Sequence, residues 1–253
     1  MTDMKEIAKR ALGLLDLTSL NDDDTDEKIV ALCAKAHGEF GKTAAVCVWP
    51  RFVKTAKKEL EGTGVRIATV VNFPHGGTNV DATVAETKNA IADGADEIDV
   101  VLPYKAFMDG DKETAAALLR ATREACKGKV MKVIIESGVL THAALIADAS
   151  RLSIECGADF IKTSTGKTPV SATLEAANAM LEVIRESGKP VGFKASGGVR
   201  TTEQAADYLT LADKIMGPKW AGLMTFRFGA SGLRDSLLAS MGYAAKPAEN
   251  TGY

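Results

Sequence analysis

The 253-residue sequence is 46% hydrophobic and 25% charged, the balance of a soluble globular chain that can bury a large core without disulfides or metals. Its 31 Lys and Arg against 33 Asp and Glu leave a formal net charge of -2, which supplies no electrostatic ground for a nucleic-acid or anionic-membrane partner. The cysteines (Cys33, Cys47, Cys126, Cys156) and histidines (His37, His75, His142) are scattered without metal-ligand spacing, so reduced core thiols are expected and a zinc site is not.

The first twenty residues are amphipathic, contain acidic side chains and lack the apolar run of a secretory signal, so a cytoplasmic protein with an N-terminal helix is expected. Beyond them the pattern alternates. Short β-branched runs fall at 43–49, 66–72, 97–102, 132–136, 160–163, 191–195 and 223–228, with a weaker one at 214–216. Several are almost continuously apolar, as strands buried on both faces of a parallel sheet are. Between them, apolar residues recur at helical spacing over 26–36, 80–92, 112–126, 143–156, 173–186 and 202–211. Thr201 and its neighbours supply an N-cap oxygen, and Gly94, Gly157 and Gly188 stand where helices need a left-handed stop. Eight strands alternating with helices predict an α/β fold, a (β/α)8 TIM barrel in one domain over 1–253. A doubly wound open sheet is the alternative. Residues 244–253 read as a flexible tail.

The informative residues are charges placed in apolar strands, where an unpaired charge is costly. Asp99 lies in the run EIDVVL, Lys162 in DFIKTSTG and Lys194 in VGFKASGG. Segments 91–99 (IADGADEID) and 154–162 (IECGADFIK) are alike, which places Asp99 and Lys162 at equivalent points on two strands. If all three side chains point into a barrel, two ammonium groups and one carboxylate share a pocket at the strand ends. A second cation and burial would free one amine to attack a carbonyl, and the carboxylate could move a proton. Lys132 shows the competing reading, because it can simply pair with an acid inside the barrel. Three glycine-containing turns follow strands: Thr165-Gly166-Lys167, Ser196-Gly197-Gly198 and the segment ending in Ser231-Gly232. Small residues at strand ends ahead of helices are suited to an anion such as phosphate.

The segments FIKTSTGK (160–167) and GFKASGGVRT (192–201) resemble the two lysine motifs of the deoxyribose-phosphate aldolase family. The runs DLT (16–18), VCVWP (46–50), NFPHG (72–76), GADEIDVV (94–101) and RFGAS (227–231) extend the resemblance in the family's order over about 16–231. It implies reversible cleavage of 2-deoxy-D-ribose 5-phosphate to acetaldehyde and D-glyceraldehyde 3-phosphate, without metal or organic cofactor. It further implies that Lys162 forms the Schiff base, Lys194 lowers its pKa and Asp99 joins the proton relay. Lys167 and the turns Gly197-Gly198 and Ser231-Gly232, with Thr165 and Gly166, would hold the phosphate. Gly232 stands where some relatives carry a second serine, so this turn keeps the backbone contact without that side chain. Tyr253, ending the tail, could reach the pocket and help move the C2 proton. A homodimer is expected by resemblance, and the charge balance and the lack of a long apolar run argue for no nucleic acid and no membrane as partner.

Two further readings stay open. A keto-acid or transaldolase-type donor would need a carboxylate site, which Arg200 or Arg227 could supply. A silent phosphate-binding barrel would have been suggested by loss of Asp99, Lys162 or Lys194, all of which are present.

Overall fold

A computed structural model describes residues 3–243; the remaining tail, with Tyr253, lies outside the described residues. Eight strands close into one parallel barrel in sequence order: β1 (Leu15–Thr18), β2 (Ala45–Val48), β3 (Arg66–Val71), β4 (Glu97–Val101), β5 (Val130–Ile134), β6 (Phe160–Lys162), β7 (Gly192–Ser196) and β8 (Phe226–Ala230). The barrel is completed by β8 pairing with β1, Asp16 opposite Gly229. Around it run α1 (Met4–Gly13), α2 (Asp26–Lys35), α3 (Val53–Glu59), α4 (Val80–Asp93), α5 (Tyr104–Met108), α6 (Lys112–Ala125), α7 (Ser137–Leu140), α8 (Ala143–Glu155), α9 (Leu174–Ser187), α10 (Thr202–Met216) and α11 (Leu233–Ser240). This is the expected (β/α)8 architecture, with α1 as the extra N-terminal helix.

Local sequence accounts for the helix ends. Asn79, Thr173 and Thr201 accept hydrogen bonds from the first free backbone N–H groups of α4, α9 and α10, and Thr201 with Gln204 forms a reciprocal capping box. Gly94 and Gly188 end α4 and α9 with left-handed backbone. The outward faces of the strands and the inner faces of the helices form one apolar layer, which includes Val46, Ile98, Val133, Ile161, Phe193 and Phe226, all fully buried. Each such side chain stabilises the fold by about 1.5–3 kcal/mol.

Three strand expectations needed correction. The first strand is Leu15–Thr18, which lies within a leucine-rich stretch that continues the amphipathic pattern of α1 and so reads as helix. The weak candidate at 214–216 is the last turn of α10. Each strand from 43–49 to 191–195 therefore stands one place later in the barrel than sequence order alone suggested. The last strand also runs further, to Ala230, because residues 222–225 form the turn before it.

The strand register divides the barrel interior into two walls. Paired inward positions on β2 and β3 carry Ala45, Cys47, Ala68 and Val70, an apolar cluster with Leu20. The inward positions of β1 and β4 through β8 carry ionisable side chains instead.

Candidate active site

Seven buried ionisable groups meet inside the barrel: Asp16 on β1, Glu97 and Asp99 on β4, Lys132 on β5, Lys162 on β6, Lys194 on β7 and Arg227 on β8. Strand register brings them together, since Asp99 pairs with Lys132, Lys162 with Lys194, and Lys194 with Arg227. Asp99 is the hub. Its Oδ1 accepts from Lys132 at 2.7 Å, and its Oδ2 accepts from both Lys162 at 2.9 Å and Lys194 at 2.8 Å. Lys194 also donates to Asp16 Oδ2 at 2.5 Å. Below them Lys132 contacts Glu97 at 2.6 Å, and Arg227 spans Asp16 Oδ1 at 2.6 Å and Glu97 Oε1 at 2.9 Å. Gly229 makes room for this packing, because a Cβ there would stand 2.6 Å from Ser196 Oγ and 3.0 Å from Lys194 Cε.

The three lysines differ in their anionic company. Lys132 touches Glu97 and Asp99 closely and Asp16 at 3.7 Å, and Lys194 touches Asp16 and Asp99. Lys162 has only Asp99, through an oxygen it shares with Lys194. Burial pushes the Lys162 ammonium below its ordinary pKa, and Lys194 pushes it further against the pull of Asp99. Burial alone would lower Lys194 too, but Asp16 and Asp99 outweigh it and hold that lysine well above its usual value. The same balance, with Asp99 and Glu97 as the anions, raises Lys132. Burial disfavours ionised Asp99, yet Lys132, Lys162 and Lys194 together keep it far below the usual carboxylate range. The ring therefore sets one lysine of lowered pKa beside a firmly ionised carboxylate and a firmly protonated lysine. Such a set can form an imine and pass protons around it.

A cavity of about 240 Å³ opens above the ring. Its walls include Thr165, Gly166, Lys167, Gly197, Gly198, Ser231 and Gly232, so the three glycine-containing turns converge there. Ser196 and Gly229 also line it, one inward position above Lys194 and Arg227 on their strands. Gly197 and Gly198 both have left-handed backbone. The turn after β6 is anchored by Glu136, a fully buried carboxylate at φ 56° that accepts from Thr165 Oγ1 at 2.5 Å and from the Thr165 N–H at 3.2 Å. Lys167 donates to the Leu20 carbonyl at 2.7 Å, linking this turn to the loop after β1. Residues 18–21 of that loop form the facing wall.

The structure thus brings Asp99, Lys162 and Lys194 into one cluster and the seven expected phosphate residues around one cavity. Tyr253 lies outside the described residues. Cys47 is a buried free thiol on the apolar wall, and burial raises its pKa. Lys132 pairs with acids inside the barrel, as its alternative reading allowed. Arg227 is also paired, with Asp16 and Glu97, so it is not available to a substrate carboxylate; Arg200 is exposed at the cavity rim. Sequence reasoning did not single out Asp16 and Glu97. Glu97 carried a usable signal, lying two residues from Asp99 and so on the same strand face. Among the described residues, no three His, Cys, Asp or Glu side chains converge as metal ligands, and no helix is long and apolar enough to cross a membrane.

Comparison with known proteins is consistent with this geometry. The sequence profile of the DeoC/LacD family aldolases matches residues 10–239. A candidate deoxyribose-phosphate aldolase from Coccidioides immitis is 33% identical, with 89% of this chain and 83% of that chain covered and a TM-score of 0.79. The apo form of a candidate deoxyribose-phosphate aldolase from Toxoplasma gondii ME49 is 25% identical over 94% of this chain and 97% of its own, with a TM-score of 0.87. The tetrameric deoxyribose phosphate aldolase of Aeropyrum pernix, at 22% identity over 95% and 97% of the two chains and a TM-score of 0.72, shares the fold.

Proposed function

The chain belongs to the DeoC/LacD family of aldolases, and on that premise we propose that it cleaves 2-deoxy-D-ribose 5-phosphate reversibly to acetaldehyde and D-glyceraldehyde 3-phosphate through a Schiff base on Lys162. The observation that carries the assignment is the poverty of anionic contacts at Lys162, the one lysine of the ring with a single, shared carboxylate oxygen. Its free amine attacks the C1 carbonyl, and loss of water gives the iminium. Asp99, directly or through a water, takes the C3 hydroxyl proton. The C2–C3 bond then breaks, its electron pair passes to the iminium, and glyceraldehyde 3-phosphate leaves. The enamine gains a proton at C2, and water hydrolyses the resulting imine to release acetaldehyde and restore the amine. Lys194 stays protonated and keeps Lys162 from doing so.

The phosphate belongs at the convergence of Gly197-Gly198, Ser231-Gly232 and the turn Thr165-Gly166-Lys167. Backbone N–H groups at strand ends ahead of α10 and α11 favour an anion there. The name borne by the Coccidioides immitis relative supports this substrate. A single domain, homodimeric assembly and a cytoplasmic location complete the proposal, resting on length, composition and the family resemblance. Purified enzyme given 2-deoxyribose 5-phosphate should form acetaldehyde and glyceraldehyde 3-phosphate in equal amounts. In the reverse direction it should take acetaldehyde and refuse pyruvate; use of pyruvate instead would favour the keto-acid reading.

A further inference from the structure

Arg227 has no place in the reaction steps above, yet it is the largest fully buried side chain of the ring. Its Nη1 donates to Asp16 at 2.6 Å and to Glu97 at 3.2 Å, its Nη2 to Glu97 at 2.9 Å and its Nε to the Leu223 carbonyl at 2.7 Å. These partners hold it on the floor of the barrel, with its guanidinium 5.4 Å from the centre of the Phe160 ring, while the cavity on β8 begins at Gly229. A guanidinium does not lose its proton in a protein. Among the fully buried groups, four cations share three carboxylates, and one positive charge is in surplus while every lysine is protonated; Arg66, a third exposed and also on Glu97 at 3.1 Å, adds a cation whose charge water screens. A ring shut away from water relieves that surplus most readily by releasing a proton. The proton leaves Lys162, whose only anionic contact is shared. Without Arg227, three buried lysines would face three carboxylates, and only burial and the neighbouring Lys194 would favour the release.

We infer that Arg227, out of reach of the substrate, is a positioning residue whose fixed charge keeps Lys162 in its amine form. The connection runs through four contacts: Arg227 to Asp16 at 2.6 Å, Asp16 to Lys194 at 2.5 Å, Lys194 to Asp99 at 2.8 Å and Asp99 to Lys162 at 2.9 Å. The groups that face this interior from the remaining strands act as a constant background. β2 supplies the Cys47 thiol, kept neutral by burial; β3 supplies Ala68, Val70 and, at its start, Arg66, which pairs with Glu97 at 3.1 Å; β5 supplies Lys132, held ionised by Glu97 and Asp99. At the rim, Glu136 is bound by the Thr165 hydroxyl and Lys167 by the Leu20 carbonyl. This role rests on the reading of Lys162 as the nucleophile.

The test is kcat/KM for cleavage of 2-deoxyribose 5-phosphate against pH, in the wild type, in Arg227→Gln and in the double variant Glu97→Gln with Arg227→Gln. The acidic limb follows Lys162 losing its proton in the free enzyme, so anything that strengthens its hold on that proton moves the limb to higher pH. Arg227→Gln should raise the limb by about one pH unit, with about tenfold lower activity on the acidic side. The double variant removes one cation and one carboxylate, restores the surplus and should return the limb to its wild-type position. Damage to packing alone would lower the rate at every pH, and the double variant would be no better than the single.

No carboxylate is stranded by the change, since Glu97 keeps Lys132 at 2.6 Å and Arg66 at 3.1 Å, and Asp16 keeps Lys194. Should Arg227→Gln fail to fold, Arg227→Met fills similar space without burying an unpaired amide and should shift the limb in the same way. An unmoved limb in the folded single variant, or a double variant displaced as far as the single, overturns the inference. Borohydride trapping of the wild type with acetaldehyde separates the two layers. No adduct on Lys162 defeats the Schiff-base reading itself, whereas an adduct with an unmoved limb defeats only the role of Arg227.

Discussion

Lys162 and Lys194 are partners in strand register and donate to the same oxygen of Asp99, yet their pKa values move in opposite directions. The difference is Asp16, which touches Lys194 and not Lys162. Removing Lys194 would leave Asp99 Oδ2 to Lys162 alone and remove its like-charge neighbour. Lys194→Leu should therefore cut activity at neutral pH by about 10²-fold or more and move the acidic limb of kcat/KM upward, because Lys162 would hold its proton to higher pH. A normal profile in that variant would remove Lys194 from the account. Asp99, Lys162 and Lys194 could be picked out because each interrupts an apolar strand. Asp16 could not, since its strand is four residues long and flanked by leucines that continue a helical pattern. Arg227 was visible as a charge among phenylalanines, but nothing local tells whether such an arginine faces a ligand or an internal acid. That depends on which carboxylate the closed barrel sets beside it.

At the level of elements, the longer helices and most strands were legible because their cues are local: spacing, capping residues and left-handed glycines; the short α3, α5 and α7 were not. The error at 214–216 has a physical cause, for a three-residue run with two apolar side chains, Lys214-Ile215-Met216, satisfies either a short strand or the last turn of α10. The turns proposed for the phosphate were legible as glycine-containing strand ends, but their convergence is a consequence of closure. Gly197 shows how tightly one of them is built. Its φ of +80° disfavours any side chain, and a Cβ would stand 2.6 Å from Ser171 Oγ. Gly197→Ala should push this turn out of place and raise KM for 2-deoxyribose 5-phosphate by about tenfold, about 1.4 kcal/mol of lost binding. The slower cleavage of 2-deoxyribose, which has no phosphate to bind, should change little. Equal losses on both sugars would mean that the turn supports the catalytic ring and not the phosphate.

On the scale of the whole molecule, closure joins the ends of the sequence. β8 pairs with β1, and so Asp16 and Arg227, 211 residues apart, form a buried ion pair beneath Lys194. Burying several charges costs the fold more than a repacked apolar core would. Here the cost falls on one wall of the barrel, with the apolar wall of β2 and β3 opposite, and it leaves Lys162 with a lowered pKa beside the ionised Asp99. The measurement that tests this most directly is borohydride trapping of the wild-type enzyme with acetaldehyde, followed by intact mass and peptide mapping. A single ethyl adduct on Lys162 is the predicted result. An adduct on Lys132 or Lys194 instead, or continued turnover with no adduct at all, would contradict it.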